Sequence, residues 1–267
     1  TVNQNLLWVS QVYGKPKIWT LSLIIENKPL AIGEIELSSS PSEISKKLPF
    51  ITYALGKSTG GNVIYVNGAA EAENTAKQLF DLIQSKDDAI SNHEINEPEI
   101  DEEINELIDL IKKTIHSKYS LWKFLHKGIA FHYGNMPLIV RSEIERLFSK
   151  NKIHYLVCTS TLIEGINMPC QSIFVRGPSK GRGNPMPLND FWNLAGRAGR
   201  WGKEFQGNVI CIDPEQPNVW KMGPPLKRIK YKITRTTDDI LNEPDQLIEF
   251  IENQTPRNEA SKNPKLE

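Results

Sequence analysis

Short apolar runs alternate with longer amphipathic segments between residues 51 and 213 of the chain. Runs such as NVIYV, GIAFH, HYLVC and NVICI are rich in β-branched and aromatic residues, as buried strands are. The segments between them place apolar residues three or four positions apart, which is the spacing of a helix with one buried face. The alternation predicts an α/β domain with a doubly wound, mostly parallel sheet.

The first part of the chain follows a different pattern. Residues 6–13, 17–25 and 30–37 alternate apolar and polar positions, and turn sequences separate them. They predict a small antiparallel β meander, which a linker joins to the α/β domain. After that domain the sequence becomes polar, and we expect a C-terminal extension that is partly disordered. The predicted domains are residues 1–50, 51–213 and 214–267.

An acidic stretch between residues 84 and 119 contains a further predicted helix. Pro98 is a favourable first residue for it, since proline is tolerated in the first turn of a helix. Acidic residues cluster near its start and lysines near its end, as the helix dipole favours. We interpret it as an amphipathic helix with a solvated charged face, not as a metal or catalytic site. Its apolar stripe consists of Ile100, Ile104, Leu107, Ile108, Ile111 and Ile115.

Composition limits the classes of partner. The 267 residues include 32 basic and 32 acidic side chains, so the formal net charge is zero and any nucleic-acid site must be a local patch. The three cysteines, Cys158, Cys170 and Cys211, lack metal-ligand spacing, and no metal site is predicted. We expect Cys158 and Cys211 to be buried and the protein to be cytoplasmic. No apolar run is long enough to cross a membrane.

The sequence GKST at residues 56–59 resembles the end of a phosphate-binding P-loop. The full motif needs a glycine where Ile51 stands, and it needs a strand before it and a helix after it. Here Gly60 and Gly61 lead into a predicted strand instead. We therefore do not assign a P-loop to this position.

Two compact motifs lie between residues 156 and 200. In the first, the predicted strand ending at Cys158 runs directly into Thr159, Ser160 and Thr161, and GINMP follows at residues 165–169. Hydroxyl groups between a strand and a helix N-terminus can bind phosphate. Taken alone, the three hydroxyl residues are more simply explained as a helix cap.

The second motif is NLAGRAGR at residues 193–200. We predict a helix that starts near Asp190 and carries Arg197 and Arg200 on one face. Guanidinium groups present forked donors that suit phosphate oxygens, and the small residues around them indicate that another group approaches closely. On spacing alone, a solvated basic helix end is the alternative.

In this order and at this spacing, the two motifs resemble motifs V and VI of the superfamily-two helicases, above all the DExH branch with the Ski-type helicases. The resemblance extends over roughly residues 60–213, and Asn67 and Gly68 correspond to motif IV. Asn193 departs from the pattern, because the family usually has glutamine there. The resemblance implies the second RecA-like lobe of an ATP-dependent helicase, with the P-loop NTPase fold.

The resemblance also implies roles for individual residues. Arg197 and Arg200 correspond to arginine fingers, which stabilise negative charge on ATP phosphates during phosphoryl transfer. The positions expected to face the nucleotide are Gly165, Asn167, Asn193 and Gly196. Those expected to contact the backbone of single-stranded DNA or RNA are Asn67, Gly68, His132, Thr159, Ser160 and Thr161. For His132, packing at a strand end is an equal alternative.

The sequence contains neither a complete Walker A motif nor Asp-Glu-x-His. We therefore expect ATP and Mg²⁺ to be held mainly by a preceding RecA-like lobe of the full-length protein, and the chain alone to be inactive as an ATP hydrolase. A non-catalytic helicase-like scaffold that binds nucleic acid or docks a protein is the alternative from another functional class.

Overall fold

The computed structural model describes residues 3–90, 101–160, 170–180, 183–199 and 206–226. Its strands are β1 (Asn3–Gln11), β2 (Ile18–Ile25), β3 (Lys28–Glu36), β4 (Asn62–Tyr65), β5 (Ile129–His132), β6 (Tyr155–Cys158), β7 (Ser172–Val175) and β8 (Gln206–Ile212). Its helices are α1 (Lys47–Gly56), α2 (Ala69–Ile90), α3 (Glu102–Thr114), α4 (Leu121–Leu125), α5 (Leu138–Ser149) and α6 (Leu188–Ala195), and a 3-10 turn spans Ile44–Lys46.

Within the described residues, the strands form one sheet in the order β3-β2-β1-β8-β7-β4-β6-β5. Every pair of adjacent strands from β1 to β5 in this sheet order is parallel. Strands β4 to β7 are buried at every position, because helices cover both faces of a parallel sheet. The chain moves outward from β4 to β5 and back to β6, so right-handed connections place α2 and α5 on opposite faces. The predicted doubly wound, mostly parallel fold is confirmed.

The predicted N-terminal meander is present, but it belongs to the same sheet. Strands β1, β2 and β3 pair antiparallel, and Glu26 and Asn27 form the β2–β3 turn with φ values of 51° and 65°. Strand β1 also pairs in parallel with β8, from Asn3 opposite Gln206 to Val9 opposite Ile212. Strand β8 is therefore an inner strand, because β1 takes up the backbone hydrogen bonds that an edge would expose. The predicted domain boundaries stay a prediction.

Helix α3 begins later than the sequence pattern predicted. Asp101 has a non-helical ψ of 134°, and its carboxylate accepts a hydrogen bond of 2.9 Å from the amide of Glu103. Asp101 is therefore the N-cap. The predicted helix start at Pro98 is wrong, because the extended ψ of Asp101 would interrupt any helix that ran through it. Pro98 and Ile100 lie outside the described residues. Four residues of the predicted stripe are buried in the helix, namely Ile104, Leu107, Ile108 and Ile111, whereas Ile115 is half-buried at the C-cap.

The acidic start of α3 is not simply solvated. The Glu103 carboxylate receives Arg146 at 2.6 Å and Lys150 at 2.8 Å, and it also pairs with Lys152. Hydrogen bonds from these three cations hold the pKa of Glu103 well below its usual range, Lys150 and Lys152 first. Sequence spacing did not show this cluster, because the partners come from the end of α5 and the turn after it.

A buried ion cluster connects β8, β7 and α1. The Asp213 side chain is fully buried, with Arg176 Nε at 2.8 Å and Lys47 Nζ at 3.2 Å. Lys47 also lies over the ring of the buried Trp19, 5.1 Å from its centroid. A buried carboxylate between two cations is stable only while the charges remain matched. The cluster therefore ties together elements that are far apart in the sequence.

We predict that Asp213→Asn lowers the free energy of unfolding by about 3–5 kcal/mol, because it leaves two partly buried cations without their counter-charge. Asparagine tolerates the positive φ of 51° at this position, so backbone strain does not contribute. Urea unfolding of the chain measures the change. The matched control is Asp109→Asn on the exposed side of α3, and equal stability of the two variants would contradict the prediction.

Candidate functional site

The residues predicted to contact nucleic acid lie at one edge of the sheet. Asn67 and Gly68 follow β4, Thr159 and Ser160 follow β6, and His132 ends β5. These three strands are parallel neighbours, so their carboxyl ends meet at the same edge. Ligands of open α/β sheets bind at that edge. The structure therefore brings the described members of the predicted set together, whereas Thr161 lies outside the described residues.

Asn67 connects β4 to the loop after β7. The Asn67 Oδ1 accepts a hydrogen bond of 2.7 Å from the backbone amide of Ser179, and the backbone amide of Asn67 donates to the Glu71 carboxylate of α2 at 3.0 Å. The hydroxyl of Tyr65 donates to the carbonyl of Ser179 at 2.9 Å. These contacts hold the start of the loop against the carboxyl edge of the sheet. The Asn67 side chain thus has a structural task in addition to its predicted role.

An open groove of about 450 Å³ adjoins this edge. Its lining includes Asn67 and Ser179 together with three cationic side chains, Lys47, Arg176 and Lys221. Two of these cations also bind the buried Asp213. Sequence reasoning missed the groove, because its residues come from five separate stretches of the chain and no local motif marks them.

His132 is buried, with an exposed fraction of 1%. Its Nε2 lies 3.6 Å from Glu145 Oε1 of α5. Burial first, and then the nearby positive charge of Arg141, together lower the pKa of His132 to about 4. Its strand neighbour, Cys158, is buried as expected, as is Cys211, and burial raises the pKa of both thiols. The structure supports packing at the strand end for His132, and a phosphate contact stays a prediction.

Thr159 and Ser160 differ in exposure. Thr159 is 8% exposed, whereas Ser160 is half-buried and lies at the last described position before a gap. The remaining members of the two motifs lie outside the described residues: Thr161, Gly165, Asn167 and Arg200.

The second motif does not continue the helix that precedes it. Helix α6 ends at Ala195, with Gly196 as its C-cap, so the predicted helical position of Arg197 is wrong, and Arg200 lies outside the described residues. Residues 196–199, here called the arginine loop, instead run alongside Cys170, just before β7. The amide of Cys170 donates to the carbonyl of Arg197 at 2.9 Å, and the amide of Gly199 donates to the carbonyl of Cys170 at 2.7 Å.

The small residues of the motif have a reason that differs from the predicted one. Gly199 has a φ of 100°, which side chains rarely tolerate. Ala195 and Ala198 are fully buried. The backbone of Ala198 and Gly199 lies directly on Gly207 of β8, where a Cβ would stand 2.2 Å from it. The group that approaches closely is therefore the protein's own sheet.

The arginine loop lies at the amino edge of the sheet, because Cys170 precedes β7 and Gly207 lies near the start of β8. Arg197 is half-buried there, while Asn193 and Gly196 are exposed. A four-residue parallel strand is about 13 Å long at roughly 3.3 Å per residue. The described members of the two predicted groups of site residues thus lie at opposite edges of one sheet.

Comparison with known proteins identifies this arrangement. Residues 106–202, which include both motifs, match the family model of the helicase conserved C-terminal domain. This match and the relatives named below support a superfamily-two helicase C-terminal lobe at these residues. Its α/β architecture and parallel core agree with the RecA-like fold of this domain.

The relatives include Ski-type and DExH helicases. Antiviral helicase SKI2 of Saccharomyces cerevisiae is 38% identical over 127 residues, which cover 44% of this chain and 10% of the relative. The DExH-box ATP-dependent RNA helicase DExH14 of Arabidopsis thaliana is 28% identical over 159 residues, or 56% and 7% of the two chains. Hachiman protein HamB of Bacillus cereus is 32% identical over 98 residues, or 37% and 9%. The lobe thus spans about a tenth of these relatives.

Two further properties concern the part of the chain that the structure describes. Its helices are too short or too polar to cross a membrane. Its His, Cys, Asp and Glu side chains form no group of three that could hold a metal ion.

We predict that the buried His132 makes the lobe sensitive to acid. Its pKa is about 4 in the folded state and near 6.5 when unfolded, so the unfolded state binds more protons between these values. The contribution of neutral His132 to the free energy of unfolding is therefore fully present above pH 6.5. It falls by about 2–3 kcal/mol as the pH approaches 4.

His132→Asn, which cannot titrate, should flatten this part of the stability profile. Its measurement is thermal or urea unfolding across the same pH range, with the exposed His154→Asn as the matched control. Burial raises the pKa of the neighbouring Glu145, which acts in the opposite direction in both proteins. An unchanged slope in His132→Asn would show that other groups cause the acid loss.

Proposed function

We propose that the chain is the C-terminal motor lobe of an ATP-dependent DNA or RNA helicase or translocase. The observation that carries the proposal is that the described residues of its two motifs, Thr159 and Ser160 of the first and residues 193–199 of the second, lie at opposite edges of one sheet. Arg197 and the exposed residues near it occupy the amino edge, and hydroxyl and amide groups occupy the carboxyl edge. A motor lobe needs such a division, because it must couple a nucleotide site to a separate grip on nucleic acid.

The amino edge suits the phosphates of ATP. Arg197 is half-buried on a backbone that hydrogen bonds hold in place, and Asn193 and Gly196 are exposed beside it. Preorganised positive charge stabilises the charge that develops during phosphoryl transfer. ATP with Mg²⁺, when bound between two lobes, supplies the phosphoanhydride bond whose hydrolysis drives movement. Arg197 and Arg200 would face its phosphates, with Gly165 and Asn167 on the same side.

The carboxyl edge suits a single strand of nucleic acid. Ser160, Gly68 and the N-terminus of α2 lie together there, with Thr159 just below the surface. Hydroxyl groups, backbone amides and a helix N-terminus bind phosphate and carry no base preference. We therefore keep both DNA and RNA as substrates of the proposed motor.

The lobe alone should not hydrolyse ATP. The GKST sequence at residues 56–59 begins at the last residue of α1 and leads into β4. A P-loop requires the reverse order, with the strand first and the helix after it. The proposal therefore assigns the Walker A and Asp-Glu-x-His groups to a preceding RecA-like lobe. We also propose a reducing, cytoplasmic location, since all three cysteines lie in the described part and none forms a disulfide.

We predict that Arg197→Ala and Arg200→Ala each reduce the nucleic-acid-stimulated ATPase kcat of the full-length gene product by about a thousandfold or more. The physical reason is the loss of positive charge at the transferred phosphoryl group. Steady-state ATPase assays with and without single-stranded DNA or RNA measure the effect and identify the substrate class.

The matched control is Lys57→Ala, which removes an exposed cation from the rejected P-loop sequence and should leave kcat unchanged. Wild-type activity in both arginine variants would favour the alternative, a helicase-like lobe that serves as a non-catalytic scaffold. Loss of activity in Lys57→Ala would show that the rejection of the P-loop was wrong.

A further inference from the structure

Gly207 lies where β8 passes under the arginine loop. A Cβ built at Gly207 would stand 2.2 Å from the carbonyl carbon of Ala198 and from the amide nitrogen of Gly199, and 2.5 Å from the Ala198 oxygen. Ordinary contacts of a Cβ begin at 3.4 Å. The neighbours are backbone atoms, which cannot swing away as the end of a side chain can. A methyl group here must therefore move the loop or β8 by about 1 Å.

The loop is held on its other side by Cys170. This residue pairs with Ala198 as a parallel bridge, and its thiol donates to the carbonyl of Arg197 at 3.4 Å. The side-chain amide of Gln4, on β1, donates to the carbonyl of Ala198 at 3.4 Å. The arginine loop thus lies between Cys170, just before β7, and the surface that Gly207 of β8 and Gln4 of β1 form. Any displacement of the arginine loop from β8 and β1 therefore changes the position of Arg197 directly.

We propose that Gly207 is a positioning residue for Arg197: its missing side chain sets the depth at which the arginine loop lies on the sheet. The inference rests on the proposed finger role of Arg197. The requirement is not a general one for glycine in a strand, because a Cβ at Gly33 of β3 meets nothing within 4 Å. Gly33 is therefore a matched control for Gly207: both are strand glycines, but an added Cβ meets backbone atoms only at Gly207.

The first test uses the purified chain and needs no nucleotide. In the native protein the Gly199 amide donates to the Cys170 carbonyl, and Cys170 is 1% exposed. Gly207→Ala should speed hydrogen exchange at the Gly199 amide and expose the Cys170 thiol to a labelling reagent. Gly33→Ala should change neither. Unchanged exchange and labelling in Gly207→Ala would overturn the inference.

The second test measures ATPase activity of the full-length gene product. A misplacement of about 1 Å in a catalytic group costs roughly a hundredfold in rate, so Gly207→Ala should lower kcat by about that factor. The affinity for single-stranded nucleic acid should stay unchanged, because that surface lies at the opposite edge. In the double variant with Arg197→Ala, kcat should fall no further than in Arg197→Ala alone.

The outcomes separate the inference from the proposed function. If Arg197→Ala retains wild-type kcat, the finger role fails, whatever Gly207→Ala does. If Arg197→Ala is impaired while Gly207→Ala is normal, or if the two losses multiply, Gly207 does not act through Arg197.

A second pair of variants covers the case in which Gly207→Ala does not fold. Gln4→Ala removes a side-chain bond to the arginine loop, whereas Asn5→Ala removes the neighbouring bond to Asn208 on β8, 3.1 Å long. Gln4→Ala should lower kcat several-fold and speed exchange at the Gly199 amide, and Asn5→Ala should do neither. Equal behaviour of these two variants would overturn the inference.

Discussion

The parallel pairing of six neighbouring strands is the constraint on which the rest of the structure depends. Because these strands point the same way, their carboxyl ends form one edge of the sheet and their amino ends the other. Residues that follow β4, β5 and β6 therefore meet at one edge, whatever their separation in the sequence. The arginine loop, which pairs with the residue before β7, is placed at the other edge. The two surfaces of the proposed motor are a direct consequence of strand direction.

Each edge is stabilised by contacts of residues that lie outside the two motifs at residues 159–169 and 193–200. At the carboxyl edge, the buried Asp213 binds Lys47 and Arg176, and Asn67 holds the loop that begins after β7. At the amino edge, Gly207 and Cys170 enclose the arginine loop. These contacts hold the backbone around the motif residues in place, and the proposed phosphate contacts would depend on such support.

The N-terminal meander completes the sheet of the lobe, because its strand β1 pairs with β8. A sheet that ended at β8 would expose a long edge next to the arginine loop, and β1 covers it by parallel pairing. Through Gln4, the same strand also reaches the carbonyl of Ala198. The meander is therefore part of the support for the surface that we propose to face the nucleotide. The family model, which matches residues 106–202, does not include this strand.

The sequence by itself determined the fold class, most strands and helices, and the helicase resemblance, because these depend on local periodicity and on short contiguous motifs. The tertiary structure alone decided where helix α6 ends, why Gly199 and Gly207 are glycines, and that His132 is buried beside Glu145. It also decided that Asp213, Lys47 and Arg176 form one cluster. These features arise from contacts between residues far apart in the chain, and neither spacing nor propensity records such contacts.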